Sequence, residues 1–123
     1  MSDEEQDAHN LIPEELAGRI PALYATEKEE DPTVWIKLFT PDSNWTWYVT
    51  EYDPDERMAF GLVDGHDREL GYFSIEELEQ IKGPLGLKIE RDLHFTPQPL
   101  SQVQNKHQQR FHDKDGRAGG LGL

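Results

Sequence analysis

Between Phe39 and Asp53 the chain reads FTPDSNWTWYVTEYD, and strict alternation on both sides of a proline-anchored turn commits this stretch to a β-hairpin. In the run Thr33 to Thr40, Val34, Ile36 and Leu38 lie on one side and Trp35, Lys37 and Phe39 on the other. Pro41, Asp42, Ser43 and Asn44 follow as a turn, since proline presets φ and short polar side chains bond back to the main chain. From Trp45 to Tyr52 the pattern resumes, with Trp45, Trp47 and Val49 on one side and Thr46, Tyr48, Thr50 and Tyr52 on the other. Because side chains of a strand point alternately to opposite faces, each segment sorts its residues onto two surfaces.

The same grammar runs on to Phe73. Asp53, Pro54, Asp55 and Glu56 make a turn, and Arg57 to Val63 is a strand with Met58, Phe60 and Leu62 aligned. Asp64, Gly65, His66 and Asp67 make the next turn, before a short strand from Glu69 to Phe73. At Ser74 the period changes: Ser74 and Glu77 form a capping box, and Ile75, Leu78 and Ile81 share a helical face until Lys82, Gly83 and Pro84 end it. Alternation returns from Lys88 to Phe95, where Arg91 shares a face with Ile89, Leu93 and Phe95. Upstream, Pro13, Glu14 and Glu15 open a short helix with Leu16, Ala17 and Ile20 as its stripe, stopped by Pro21. The expected fold class is α+β, a small antiparallel meander of four to five strands packed with two short helices.

Composition sets the boundaries. Residues 1–10 are polar and read as a disordered leader, 11–99 as a single domain, and 100–123, rich in Gln, Gly and charge, as a flexible tail. The chain of 123 residues has no cysteine, no signal-peptide run and no stretch of membrane-spanning length, which together predict a cytoplasmic protein without membrane attachment. Its formal net charge is -13, while the tail holds Lys106, Arg110, Lys114 and Arg117, so the body is more acidic still. Direct nucleic-acid binding by such a body is disfavoured, because affinity for phosphate backbones comes from basic side chains that displace counterions.

The candidate core is the face carrying Val34, Ile36, Leu38, Trp45, Trp47, Val49, Met58, Phe60 and Leu62. The opposite face, with Trp35, Phe39, Tyr48 and Tyr52, is either a covered second layer or a recognition surface. Asp42, Glu51, Asp53, Asp55 and Glu56 crowd the turns and offer oxygens to a hard cation, but DPDERMAFGLVD lacks the glycine and glutamate of a calcium-binding loop, so no metal site is assigned. No cofactor motif is present: Ser43 has no nucleophile elbow, GPLGL fits no phosphate loop, and the histidines lack metal spacing. Arg91, on an otherwise apolar face, needs a partner, with Glu51 or Asp42 the expected carboxylates, or else anchors a ligand.

The motifs LFTPDSNWTWYVTEYD, FGLVDG, ELGYFSIEELE and GPLGLKIERDLHF, in this order, resemble a small bacterial family catalogued as domain of unknown function 2958, over residues 11–100. Members tend to be encoded on plasmids, phages and integrated conjugative elements, sometimes near anti-restriction genes. The resemblance implies an accessory, mobile-element or anti-defence role, and it brings no reaction, cofactor or catalytic residue.

The expected function is a non-enzymatic protein-interaction module with an acidic and aromatic surface, acting on a protein partner such as a nucleic-acid-processing or host-defence protein. Its partner-binding residues would be Trp35, Phe39, Asp42, Tyr48, Glu51, Tyr52, Asp53 and Arg91. Two alternatives stand beside it: a metal-assisted hydrolase using carboxylates near Asp42, Glu51 and Asp53, and a single-strand binder using Trp35, Tyr48 and the basic tail.

Overall fold

Each alternating segment pairs with its neighbour in the chain. In the computed structural model, which describes residues 7–104, the strands are β1 (Thr33–Val34), β2 (Ile36–Phe39), β3 (Thr46–Asp53), β4 (Met58–Asp64), β5 (Arg68–Ser74), β6 (Glu90–Arg91) and β7 (Gln98–Pro99). An antiparallel sheet of order β5-β4-β3-β2-β6 forms the body, and β1 pairs separately with β7. The helices are α1 (Glu14–Ala17) and α2 (Ile75–Gln80), with a further helical segment at residues 100–104. The fold is α+β, as the alternation and the capping signal predict. The long strand expected from Lys88 to Phe95 is cut to Glu90–Arg91, which pair with Phe39 and Leu38.

One bulge decides which residues face which way. The register of β3 against β4 pairs Trp47 with Val63 and Val49 with Gly61, then shifts so that Glu51 meets Phe60 and Tyr52 meets Ala59. The extra residue is Thr50, whose hydroxyl donates to the Phe60 carbonyl at 3.0 Å. An inserted residue inverts the facing of everything after it. Tyr52 therefore joins Trp47 and Val49 instead of Tyr48, and Glu51 goes to the opposite face.

The first face carries the larger core: Ile36, Leu38, Trp47, Val49, Tyr52, Ala59 and Phe73, roofed by Leu11, Ile20, Ile75, Leu78 and Ile89. Full burial of such side chains contributes roughly 1.5–3 kcal/mol each. The second face carries a smaller core in which Val34, Tyr48 and Leu62 meet Leu100 and Val103, with Phe95 packed alongside. The expected single core of Val34, Met58, Phe60 and Leu62 with the tryptophans is thus corrected. On β4 it is Ala59, Gly61 and Val63 that face the tryptophan side, and small residues there leave room for the rings. A Cβ on Gly61 would lie 1.7 Å from the Tyr48 carbonyl oxygen, so the close approach of β3 and β4 at the bulge requires glycine.

Both ends of the described chain, residues 7–10 and 100–104, are docked. Ala8 is buried, and Asp7 and Asn10 offer carbonyls to Arg91. Downstream, Leu100 N donates to the Pro32 carbonyl at 2.9 Å, and Ser101 donates to Asp31 from its amide (2.8 Å) and its hydroxyl (2.7 Å). Those two bonds hold the Asp31 carboxyl below its ordinary value of 3.8. Apolar Leu100 and Val103, at helical spacing in a polar sequence, were the sign of this packing. The remainder of the leader and of the tail lies outside the described residues.

The capping signal at Ser74 is realised: its hydroxyl accepts from Glu77 N at 3.1 Å, and α2 buries Ile75 and Leu78. Arg57, at φ 55°, reaches α2 through a bidentate pair with Glu79 at 2.9 and 2.5 Å, which raises its already high pKa. No helix among the described residues is long and apolar enough to cross a membrane.

Candidate docking surface

Of the eight residues that the sequence nominates for the surface, Tyr48, Glu51 and Tyr52 are buried and the other five are half-buried. Tyr48 is buried in the second core, its ring 6.4 Å from Phe95, and Tyr52 is buried in the first. Phe39 is half-buried beside Thr46 and Glu90. Trp35 leaves the alternation between β1 and β2 and packs against the first core, with the Arg19 guanidinium 5.8 Å from its ring. Its indole Nε1 is buried with no hydrogen-bond partner among the described residues.

The carboxylates are tied to separate tasks. Glu51 is 3% exposed and accepts from Tyr24 N at 2.7 Å, Thr26 N at 3.0 Å and the Thr26 hydroxyl, which pins the segment 24–26 onto the second face. Tyr24 takes this position at φ 73°, a left-handed conformation uncommon for a residue with a side chain. Asp42 accepts from Leu85 N at 2.8 Å and Leu87 N at 3.3 Å, holding the small hairpin closed by the Lys82 and Lys88 bridge. A Cβ on Gly83 would stand 1.7 Å from Asp42 Oδ1, so glycine is required for that contact as well. Asp53 caps its own turn, accepting from Asp55 N at 3.0 Å. No group of three or more His, Asp or Glu that could hold a metal ion exists among the described residues.

Arg91 finds neither expected carboxylate. Its Nε donates to the Asn10 carbonyl at 2.9 Å, and an η nitrogen donates to the Asp7 carbonyl at 3.0 Å and pairs with the Asp7 carboxylate at 2.9 Å. The arginine clamps residues 7–10 across the sheet next to Leu38.

What remains outside is a cluster that the expected facing had hidden. Phe60 pairs with Tyr72 and Leu62 with Leu70, so these four share the second face with Glu51. Leu100, Val103 and Phe95 cover Leu62, but Leu70 is 55% exposed and Tyr72 50%. Tyr24, delivered by the Glu51 clamp and 61% exposed, leans on Tyr72 with centroids 6.1 Å apart, and Phe60 meets Tyr72 at 4.8 Å. The hydrogen bond with Tyr24, then desolvation and the nearby charges of Glu51 and Glu27, push the Tyr72 phenol up to about 12. The result is an aromatic and aliphatic patch with carboxylates beside it. The tight turn from Asp64 to Asp67 carried a signal for it, because a hairpin closed there aligns Phe60 with Tyr72.

Over residues 11–110 the chain matches the family described as "Protein of unknown function (DUF2958)". No curated protein and no solved structure matches it.

Proposed function

Since the chain belongs to the DUF2958 family, whose description names no reaction, we propose from its surface that it is a non-enzymatic interaction module that docks a cationic protein partner on the β4 and β5 half of its second face. The observation that carries this reading is the cluster of Tyr24, Phe60, Leu70 and Tyr72, in which Tyr24, Leu70 and Tyr72 stay exposed on a sheet that buries a core on each face. Aromatic side chains with polar tips suit protein interfaces, where one end is dried and the other stays wet. A net charge of -13 selects a basic partner and slows the approach of phosphate backbones. Nucleic-acid-processing and host-defence proteins fit that description, because they carry basic surfaces of their own.

The test is capture from host lysate, treated with nuclease, on immobilised wild-type protein and on the Leu70→Ser/Tyr72→Ser variant. Wild type should retain a basic protein that elutes as salt is raised, and the variant, with unchanged circular dichroism, should lose it. Equal recovery on both would refute the placement of the surface.

A further inference from the structure

Strand β5 is the terminal strand of the sheet, and half of its backbone is unspent. Parity shows which half. Ile75 N donates to the Arg57 carbonyl at 2.9 Å and Gly65 N to the Asp67 carbonyl at 3.1 Å, so odd-numbered residues exchange hydrogen bonds between β4 and β5. Arg68, Leu70, Tyr72 and Ser74 then direct their N–H and C=O groups away from β4. Ser74 caps α2 and its carbonyl accepts the first bond of that helix, but among the described residues no main-chain partner meets Leu70 and Tyr72 there. At the other edge, β6 is only two residues long and gives little to pair with. Seven residues of β5 make a much longer template, blunted only at one end by Arg68 and Glu69.

We propose that β5 takes up an extended cationic segment of the partner as a sixth strand, bonded to the outward N–H and C=O groups of Leu70 and Tyr72. This deepens the docking reading and rests on it. Side chains of the added strand alternate between the two faces. Those on the second face meet Leu70 and Tyr72 and extend the apolar patch, so they are apolar. Those on the first face lie beside Glu69, which pairs with Val63 on that side, so they are basic. A Cβ at Gly71 would meet nothing within 4 Å, so the first face beside the middle of this edge has room for the basic side chains of the added strand. A second copy is the weaker occupant, because each copy brings a net charge of -13 to the contact.

The probe is a short capped peptide alternating lysine and valine, titrated into the full chain by fluorescence anisotropy. Leu70→Pro deletes one outward N–H and no bond of the β4 ladder, and proline is tolerated on edge strands. Leu70→Ala removes the side chain alone. Saturable binding that falls about tenfold further in Leu70→Pro than in Leu70→Ala is the expected result. A peptide methylated on alternate backbone nitrogens tests the same bonds without touching the protein, and it should lose binding to wild type. Equal affinities for the two Leu70 variants, with the methylated peptide binding normally, overturn strand addition. The docking surface survives that outcome provided that the serine variant still fails to capture the lysate partner. Equal binding of a glutamate and valine peptide overturns the cationic character. Sedimentation showing a wild-type dimer that Leu70→Pro dissolves overturns the choice of occupant.

Discussion

Replacing Glu51 by alanine removes the acceptor that fixes the segment 24–26 and, with it, the exposed ring of Tyr24. Three hydrogen bonds end on this buried carboxylate, from Tyr24 N, Thr26 N and the Thr26 hydroxyl. Bonds to a charged acceptor contribute about 1.5–3 kcal/mol each. Against them stands the cost of keeping a carboxylate dry with no cation bridging to it among the described residues, several kcal/mol that alanine returns. Thr26 is buried, so its N–H would be left unpaired at about 1–3 kcal/mol. Release of Tyr24 from φ 73° recovers about 1 kcal/mol. The balance is a loss of about 2–4 kcal/mol for Glu51→Ala. Glu51→Gln should lose about half of that, since an amide keeps one acceptor oxygen of two. In urea, with a slope of about 1.5 kcal/mol per molar, the midpoint falls by about 2 M for the alanine variant. A second readout follows the Tyr72 phenol, held up at about 12 chiefly by Tyr24, whose absorbance titration should move back toward 10.0 once the segment is free. A stability change within about 0.5 kcal/mol, the range of an ordinary surface substitution, with Tyr72 titrating as before, would refute the clamp.

Gly83→Ala should cost about 1–3 kcal/mol by driving its methyl into Asp42 Oδ1, and almost nothing in an Asp42→Ala background; a double-mutant cycle in denaturant measures the difference. Arg91→Met should destabilise by about 2–4 kcal/mol, because carbonyls of Asp7 and Asn10 lose a guanidinium whose side chain is 11% exposed, and hydrogen exchange should show residues 7–10 released first. The lowered pKa of Asp31 means that its bonds to Ser101 stabilise the fold above pH 3.8 and are lost as pH falls below it. Ser101→Ala should therefore flatten that part of the acid dependence of thermal unfolding, and an unchanged profile would exclude this linkage. The raised pKa of Tyr72 works at the other end of the scale: its stabilisation is full below pH 10.0 and disappears as pH rises through about 12, a loss that Tyr72→Phe should remove from the alkaline unfolding curve.

Local chemistry explains what the sequence made legible. Turn residues at Pro41 to Asn44, Asp53 to Glu56 and Asp64 to Asp67 bracket β3, β4 and β5 to within a residue or two, and the Ser74 cap marks the start of α2. The facing of Met58, Phe60 and Tyr52 was not legible, because it depends on a shift at Thr50 that leaves the alternation TWYVTEYD unbroken to the eye. Glu51 was hidden for another reason. A carboxylate among turn acids looks solvated, and its actual partners are main-chain amides some 25 residues upstream, which no pairing of charges in the sequence suggests. Likewise, Arg91 satisfied the demand for a partner, but through carbonyls of a segment whose polarity reads as unfolded.

The bulge at Thr50 also changes how relatives of this chain have to be compared. A relative lacking that one residue would pair without a bulge and keep Glu51 and Tyr52 on their present faces, because they already meet the consecutive residues Phe60 and Ala59 beside the Val49 and Gly61 pair. Gapped and ungapped family members around position 50 therefore present the same faces at the aromatic patch, and an alignment that ignores the gap would equate residues on opposite sides of the sheet.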